Sequence, residues 1–336
     1  MPFEPATSED PDSILELVLS FWIARTVMAA VQLGVFDVLA VPGLPESEAA
    51  ASLGLAARPA RGLFDTCVAV GLLERHGGAI RCTPASERFL RDGAEYSLRN
   101  YVLDERWCWP AWGRLEEALQ TDAPPLPQDE DGYHTFPEEF LLDFLHGHSL
   151  WMGARLARAV PLDGARRMMD IGGGSGAVSI AICRANPGLR SVVVDREPVL
   201  RKTAEHVAAA GLSERITMTA ANIFEDPLPE GCDTALIANL LHDFSPERAS
   251  MILGRVFDTL PSGGRLIVME ITVAEDGSGP PLAAVFTVTM IVNTQGGVVH
   301  TPAELRRMIE AAGFAVERTV PLGERYVTIA LEARKP

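Results

Sequence analysis

The sequence predicts an α/β protein in which a mainly α-helical N-terminal region precedes a mostly parallel sheet that ends in an antiparallel hairpin. From residue 166 onward, apolar segments of strand length alternate with segments of helix length. That alternation is typical of a parallel sheet with crossover helices. The last helix, "TPAELRRMIEAAGF", is followed by two strand segments joined at Gly323, which predicts the hairpin.

The N-terminal region opens with "ILELVLSFWIARTVMAAVQLG", a helix that Ser13 can cap and that is apolar on nearly every face. Such a helix must be covered on most sides, by its own domain or by a second chain. Because Glu16 and Arg25 lie inside it, we expect a largely buried helix and not a membrane anchor. Two further helices and a hairpin turning at Gly77-Gly78 complete a winged-helix pattern.

Length and these patterns predict the domain organisation. At roughly 150 residues per domain, 336 residues suggest two domains. A helical, winged-helix-like domain is expected over 1–115 and the parallel-sheet domain over 161–336. Residues 116–160 combine a proline-rich acidic loop with further helix, so they form a helical linker between the two.

Composition excludes several classes of partner. The formal net charge of −16 repels phosphate backbones, so no nucleic-acid partner is expected. The five cysteines form no CxxC pair, which favours free thiols in a reducing compartment over disulfides or a zinc ribbon. The start "MPFEPATSEDPDS" lacks the basic region of a signal peptide. We therefore expect a cytoplasmic protein without a membrane segment.

A glycine-rich turn marks the candidate ligand site. Gly172-Gly173-Gly174-Ser175-Gly176-Ala177 satisfies the relaxed dinucleotide fingerprint after the strand "RRMMDIG". Asp195 ends the next strand nineteen residues beyond Gly176, where its carboxylate could accept both hydroxyls of a ribose. Both features fit NAD and also fit S-adenosylmethionine, since each ligand carries an adenosine.

Three features favour the nucleoside ligand over the dinucleotide. The sheet is predicted to end in an antiparallel hairpin, and no second mononucleotide-binding half follows the first. The fourth strand ends in "NLLHDFSPE", which brings His242 and Asp243 to the carboxyl end of the sheet. Ligands of open α/β sheets bind at that end.

Residues from about 14 to 332 resemble the two-domain S-adenosylmethionine-dependent small-molecule methyltransferases that include plant caffeate-type and bacterial antibiotic-biosynthesis O-methyltransferases. The matching stretches, in order, are "DIGGGSG", "VVVD", "NLLHDFSPE", "SGGRLIVMEI" and "AELRRMIEAAGF". The resemblance implies a Rossmann-like cofactor domain behind a winged-helix-like domain that dimerises through its N-terminal helices. It also implies S-adenosyl-L-methionine as cofactor, S-adenosyl-L-homocysteine as product and a small-molecule acceptor.

The resemblance implies a set of cofactor contacts around the glycine turn. The family usually has Gly-Asp where this chain has Ala221-Asn222, and an Asn can still bond an adenine amino group through its carbonyl. The implied cofactor-binding residues are Asp170, Gly172, Gly174, Asp195, Arg196, Asn222, Ile223 and Asn239.

The resemblance also assigns the chemistry. A phenol has a pKa near about 10, so a base must remove its proton before methyl transfer at neutral pH. In the family that base matches His242, and its supporting acid matches Glu270 at the end of "LIVME". Methyl transfer to carbon, at an activated aromatic ring or a 2-oxo acid, uses overlapping motifs and stays open as an alternative.

The family pattern breaks after Gly296-Gly297. Plant members carry a second glutamate and then an arginine where this chain has Val299 and His300. Loop variation, a contact of His300 with the acceptor, or a metal shared with His242 could each account for the change. The chain shows no metal-ligand spacing, so no metal is expected.

Aromatic, methionine and histidine side chains are expected to form the acceptor wall, partly within 116–160. For any single one, core packing is an alternative. The predicted substrate-binding residues are Trp107, Phe144, His148, Trp151, Met152, Asp243, Met290, Asn293 and His300.

Two other functions compete with methyl transfer. One is a winged-helix regulator that senses a nucleoside, although its helix "ARPARGLFDTCVAVGLL" carries Arg58 and Arg61 only at its start and is otherwise mostly apolar. The other is an NAD-dependent dehydrogenase, which the glycine turn alone would allow.

Overall fold

The computed structural model describes residues 11–127, 143–323 and 327–336. The chain divides into two compact units, Met1–Trp109 and Pro110–Pro336. The domain limits expected from sequence, with a separate linker over 116–160, stay a prediction.

The first unit is mainly helical and contains one two-stranded hairpin. Its core includes Phe36 and Phe64, which are fully buried. Gly77 and Gly78, between the two strands, have φ of 58° and 85°, as a two-residue hairpin turn requires. The helices are α1 Pro11–Gln32, α2 Val35–Val38, α3 Glu46–Ser52, α4 Ala57–Ala69, α5 Pro84–Phe89 and α6 Arg99–Trp112, and the strands are β1 Leu73–His76 and β2 Ala79–Cys82. The last three residues of α6 belong to the second unit.

Helix α1 departs from the sequence expectation. It begins at Pro11, before the predicted cap Ser13, and within the single chain only Ala30 and Val31 are buried. The prediction of a largely buried helix is therefore wrong for one copy, because its own unit covers only the C-terminal end. By length and composition alone this helix could also cross a membrane. Its exposed apolar side chains are Ile14, Leu15, Leu17, Val18, Phe21, Trp22 and Ile23.

The second unit is built on a seven-stranded sheet of order β5-β4-β3-β6-β7-β9-β8. Its strands are β3 Arg167–Ile171, β4 Arg190–Asp195, β5 Ile216–Ala220, β6 Thr234–Ala238, β7 Arg265–Thr272, β8 Ala315–Pro321 and β9 Val327–Arg334. Strands β3 to β7 pair in parallel, whereas β9 runs antiparallel to both β7 and β8. The predicted parallel sheet with a closing hairpin is confirmed.

Among the residues described, two further helices precede this sheet, and five others lie between its strands. The helices are α7 Leu115–Thr121, α8 Asp143–Ala159, α9 Ala177–Ala185, α10 Glu197–Ala209, α11 Pro246–Thr259, α12 Pro281–Asn293 and α13 Pro302–Ala311. Sequence patterns did not single out α12, whose apolar residues show no clear helical stripe. Its side chain Val292 packs in a small core with Ala111 and Ala118. Side chains of Trp107 and Phe144 lie outside the part of the chain that is described, as do residues 137–142 of the predicted helical segment.

The strand order determines where the candidate residues meet. Strands β4, β3, β6 and β7 are neighbours and parallel, so their carboxyl ends lie along one edge of the sheet. The glycine turn follows β3, Asp195 ends β4, the segment 239–243 follows β6, and Glu270 lies near the end of β7. Residues far apart in sequence are thereby brought to a single edge.

Candidate active site

The glycine turn between β3 and α9, residues 172–176 and here called the cofactor turn, needs bare backbone. Gly172, Gly174 and Gly176 have φ between 53° and 72°, a region that side chains other than glycine's rarely adopt. A Cβ on Gly173 would lie 2.8 Å from Cγ of Asp170. The turn is held to the sheet by the Gly172 amide, which donates to the Val194 carbonyl at 2.8 Å.

Asp195 is half-buried at the end of β4, beside this turn. Its Oδ2 accepts from the Gly174 amide at 2.9 Å, and its Oδ1 accepts from the Arg196 amide at 2.8 Å. Burial raises the pKa of Asp195, while these two hydrogen bonds oppose the rise. A carboxylate oxygen can accept more than one hydrogen bond, so both oxygens remain able to accept from ribose hydroxyls.

Asp170 lies beneath the cofactor turn and is almost fully buried. Its Oδ2 accepts from the Ser179 hydroxyl at 2.6 Å, but its buried Oδ1 has no hydrogen-bond partner within the described residues. Burial raises the pKa of Asp170 to about 7, against the lowering effect of Ser179 and with a smaller contribution from the charge of Asp195. An orphaned carboxylate oxygen at this position fits a cationic or hydrogen-bond-donating ligand group.

A buried histidine–carboxylate pair lies at the carboxyl end of the sheet. The His242 Nδ1–H donates to Glu270 Oε2 at 2.5 Å, and the two side chains are 7% and 1% exposed. Glu270 Oε1 accepts from the amides of Leu240 and Leu241, at 2.9 and 2.7 Å. The carboxylate thus fixes both the imidazole and the backbone turn that carries it. With Nδ1 engaged, Nε2 is the ring atom left to exchange a proton.

Charge around His242 sets its protonation. Burial alone would lower the pKa of His242, but the charges of Glu270 and Asp243 and the Glu270 hydrogen bond outweigh burial and raise that pKa to about 9. Asp243 Oδ1 lies 3.5 Å from Nε2. Burial raises the pKa of Asp243 to about 6, although the nearby imidazolium opposes the rise. The two carboxylates therefore stabilise the protonated form of His242 in the ligand-free protein.

Two further contacts hold His242, and sequence analysis missed both. The Phe286 ring meets the imidazole edge to face, with ring centroids 5.1 Å apart. The Val298 amide donates to the His242 carbonyl at 2.8 Å. Phe286 lies on α12, the helix without a clear sequence pattern, so only a family alignment or a structure could have found it.

The remaining predicted cofactor residues have distinct environments. Asn222 is exposed, and its Oδ1 accepts from the Phe224 amide at 3.0 Å, so the side chain already closes a local turn. Ile223 packs partly against the main core. Asn239 adopts φ of 50°, unusual for a residue other than glycine, and its buried Oδ1 has no hydrogen-bond partner within the described residues.

Apart from Trp107 on α6 and Asp243 after β6, the predicted acceptor residues lie on α8, on α12 and in the loop after α12. Met290 is buried, and Asn293 Oδ1 and His300 Nε2 are buried atoms without a hydrogen-bond partner among the residues described. Burial lowers the pKa of His300, and the charges of Glu270 and His242 both act on its ring. His300 therefore lies close enough to the histidine–carboxylate pair for both charges to influence its protonation.

On α8, the three predicted side chains differ in their surroundings. Met152 is buried, and burial lowers the pKa of the half-buried His148. Trp151 lines a surface groove of about 460 Å³ together with Arg155, Arg158, Ala159, Pro321 and Leu322. His242 is not among the residues that line that groove.

Within residues 11–127, 143–323 and 327–336, no group of three or more His, Cys, Asp or Glu side chains is arranged to hold a metal ion. The proposed sharing of a metal by His242 and His300 gains no support from the described residues.

The fold and this site together define the class of Rossmann-like S-adenosylmethionine-dependent methyltransferases. The O-methyltransferase domain family matches residues 133–315, and the O-methyltransferase dimerisation domain family matches residues 15–92. The chain therefore belongs to the two-domain O-methyltransferase family.

Individual relatives agree with this family. The 3-hydroxy-5-methyl-1-naphthoate 3-O-methyltransferase of Streptomyces sahachiroi is 37% identical over 321 residues, which cover 94% of this chain and 93% of the relative. The acetylserotonin O-methyltransferase of Bos taurus is 32% identical and covers 93% of this chain and 94% of the relative. The crystal structure of human N-acetylserotonin methyltransferase with S-adenosylmethionine matches with a TM-score of 0.87 at 27% identity, over 99% of each chain.

These matches decide between the alternatives that the sequence left open. The protein is an S-adenosylmethionine-dependent O-methyltransferase, as predicted. The regulator and dehydrogenase hypotheses are wrong, and transfer to carbon is not favoured. The dimerisation-domain match supports formation of a homodimer that acts on a small molecule.

Proposed function

We propose that this enzyme methylates a phenolic hydroxyl of a small aromatic secondary metabolite, with His242 as general base and Glu270 as the carboxylate that orients it. The observation that carries the proposal is the buried His242–Glu270 hydrogen bond at the carboxyl end of the sheet. The names of the relatives support the substrate class, since each describes methylation of an aromatic hydroxyl compound or of an acetylserotonin.

Residues around the cofactor turn fit S-adenosylmethionine. The bare backbone at Gly173 and the orphaned oxygens of Asp170 and Asn239 suit a ligand that presses on backbone and donates hydrogen bonds. We assign Asp195 to the ribose hydroxyls, and Asn222 and Ile223 to the adenine. Gly172, Gly174 and Arg196 complete the proposed binding set. When bound, the cofactor supplies an electrophilic methyl group whose leaving group is a neutral thioether.

His242 Nε2 would take the proton of the acceptor hydroxyl. Glu270 holds Nδ1–H, so the ring presents Nε2 in one orientation and the imidazolium formed is stabilised. Because the pKa of His242 is about 9 in the ligand-free protein, the neutral fraction that can act as base grows as pH rises. Asp243, 3.5 Å from Nε2, would receive a second polar group of the acceptor.

The acceptor is proposed to lie against α8 and α12. Met290 and Met152 offer apolar surface for a flat ring, and Trp107, Phe144, His148 and Trp151 are the other proposed wall residues. The orphaned atoms of Asn293 and His300 support polar contacts near the base.

One experiment tests the reaction and its regiochemistry. The purified enzyme is incubated with methyl-labelled S-adenosylmethionine and a panel of hydroxynaphthoates, catechols and N-acylated hydroxyindoles, each paired with its hydroxyl-free analogue. Mass spectrometry should show one label only on the hydroxylated compounds, and NMR should place it on oxygen. Label on a ring carbon, or on the hydroxyl-free analogues, would contradict the proposal.

The proposed assembly is a homodimer formed through the N-terminal helices. Exposure of the apolar side chains of α1 supports this, because a soluble copy would otherwise present a long apolar surface to water. We propose a cytoplasmic enzyme that binds neither membrane nor nucleic acid. The five free cysteines support the reducing compartment, and the formal net charge of −16 opposes binding to a phosphate backbone.

A further inference from the structure

Two stacked histidines join α8 to the cofactor turn, outside the groups that the reaction uses. His146, on α8, and His206, on α10, lie with ring centroids 3.8 Å apart and ring planes inclined by 10°. His146 Nδ1 is 2.9 Å from the hydroxyl of Ser175, which is part of the cofactor turn. The pair therefore connects two helices and the turn at one point.

Charged groups complete the cluster on the side of His206. His206 Nε2 lies 2.9 Å from Asp143 Oδ1, at the start of α8. Lys202 Nζ lies 3.3 Å from Asp143 Oδ2 and 2.8 Å from Glu205 Oε2. Asp143 thus links α8 to α10 through both an imidazole and an ammonium group.

A hydrogen bond also ties the cofactor turn to α10. The Thr203 hydroxyl donates to the Gly174 carbonyl at 2.6 Å, one helical turn before His206. On the other side, Asp195 accepts from the Gly174 amide. The histidine pair adds a connection to α8, so opening the pair would remove the contact between His146 and Ser175 while leaving the bonds from Thr203 and to Asp195 in place.

We propose that His146 and His206 form a pH-sensitive clasp that holds α8 on the cofactor turn, and that proton uptake by the pair opens the clasp and weakens cofactor binding. The proposal rests on the assignment of residues 172–176 to the cofactor. Two imidazoles in stacked contact cannot both be charged without strong repulsion, and their partial burial disfavours the charged form of each ring.

The surroundings of the pair give the direction of the effect. Burial, with smaller contributions from the charges of His206 and of Arg184 on α9, lowers the pKa of His146 to about 4, although Asp143 acts in the opposite direction. Burial also lowers the pKa of His206, with Lys202 acting in the same direction and Asp143 and Glu205 acting against it. The closed clasp therefore favours the neutral forms of His146 and His206.

Proton linkage then favours the open form as pH falls. A released His146 would titrate near its ordinary value of 6.5, while in the clasp it stays neutral down to about pH 4. The clasp is fully favoured above about pH 6.5 and loses stability progressively below it. Between pH 7.5 and 5.5, that linkage shifts the ratio of closed to open forms by roughly tenfold for one ring.

The test measures the affinity for S-adenosylhomocysteine by calorimetry at pH 7.5 and 5.5, with the full-length enzyme. For the wild type, we expect the dissociation constant to rise about three- to tenfold at the lower pH. In the double variant His146→Asn/His206→Phe, neither position titrates, while the amide can still bond Ser175 and the phenyl ring preserves a stack. Asp170 in the cofactor site has a pKa of about 7 and titrates in both proteins, so some pH dependence remains in the variant. The rise of the variant's dissociation constant between pH 7.5 and 5.5 should be about threefold or more smaller than the rise for the wild type.

Two further measurements keep the test decisive. His76→Gln, at an exposed position on β1, should retain the wild-type ratio of dissociation constants, since His76 is remote in sequence and lies in the first unit. If thermal unfolding shows that the double variant is not folded, the single variant His206→Phe replaces it. Its ratio of dissociation constants at pH 5.5 and 7.5 should be smaller than the wild-type ratio. Equal ratios for wild type and variant, with binding intact, overturn the clasp alone. Failure of the wild type to bind at pH 7.5 overturns the cofactor assignment and the clasp with it.

Discussion

Gly297 packs directly against the backbone that carries His242. A Cβ placed on Gly297 would lie 2.6 Å from the His242 carbonyl oxygen, closer than real side chains approach. We therefore expect Gly297→Ala to displace the turn that carries His242, the proposed base, and to lower kcat/KM by at least about tenfold, since small misplacements of a reacting group are costly. The affinity for S-adenosylhomocysteine, measured by calorimetry, should change little.

Gly254 provides the matched control for this substitution. It lies within α11, and a Cβ there meets no atom within 4 Å. Gly254→Ala should keep full activity and raise the stability of the protein by up to about 1 kcal/mol. Equal activity of the two alanine variants would show that the Gly297 contact does not position His242.

Replacing His242 by alanine removes the proposed base without touching the cofactor turn. The rate of methyl transfer should fall by about 10²- to 10⁴-fold, the usual contribution of a positioned general base. The dissociation constant for S-adenosylhomocysteine should stay near the wild-type value. His76→Ala, at an exposed site, serves as the control. Parallel loss of binding and rate would instead make His242 a structural residue.

Glu270→Gln should change the pH dependence of His242. The Glu270 charge helps to raise the pKa of His242 to about 9, so its removal should move that pKa downward. NMR titration of the ligand-free protein reports this directly, and the alkaline-rising limb of kcat/KM should move to lower pH as the maximal rate falls. Exposed Glu225→Gln should leave the titration unchanged. An unaltered His242 titration in Glu270→Gln would refute the coupling.

The same pair makes stability depend on pH. The folded pKa of His242 lies above its ordinary value of 6.5, so its contribution is fully present below about pH 6.5 and is lost as pH rises through about 9. Thermal unfolding of the wild type should therefore lose more stability between pH 7 and 9.5 than unfolding of Glu270→Gln. A smaller loss in the wild type would contradict this sign.

Asp195→Ala tests the proposed ribose contact. Loss of hydrogen bonds to a carboxylate costs about 1.5–3 kcal/mol, so the dissociation constant for S-adenosylhomocysteine should rise by roughly ten- to a hundredfold. Asp258→Ala, at an exposed position on α11, is the control and should bind normally. Unchanged affinity of Asp195→Ala would mean that the ribose is held by another group.

The exposed face of α1 predicts how dimers form. Trp22 is 58% exposed in the single chain, and Trp22→Glu should place a charge in an apolar interface and shift the protein from dimer to monomer. Met251→Glu changes a side chain of similar exposure, 52%, on α11 and should leave the dimer intact. Light scattering after size-exclusion chromatography distinguishes the two. A dimeric Trp22→Glu protein would indicate an interface elsewhere.

Local patterns were sufficient for the elements with a clear period or turn chemistry. The alternation after residue 166 predicted the parallel sheet, and Gly77-Gly78 predicted a hairpin that needs positive φ. The patterns failed for α12, whose apolar residues follow no clear helical period, and for the burial of α1, most of which the single chain leaves uncovered. Burial depends on what covers a residue, and that is a property of the assembly.

For the site, the sequence by itself determined the chemistry available: a glycine turn, a carboxylate one strand away, and a histidine and glutamate at strand ends. Only the tertiary structure decided that Glu270 holds both the His242 ring and its backbone turn, and that His146 and His206 stack beside Ser175. These contacts join residues distant in the chain. Their distances follow from strand order and helix packing, which no local sequence period encodes.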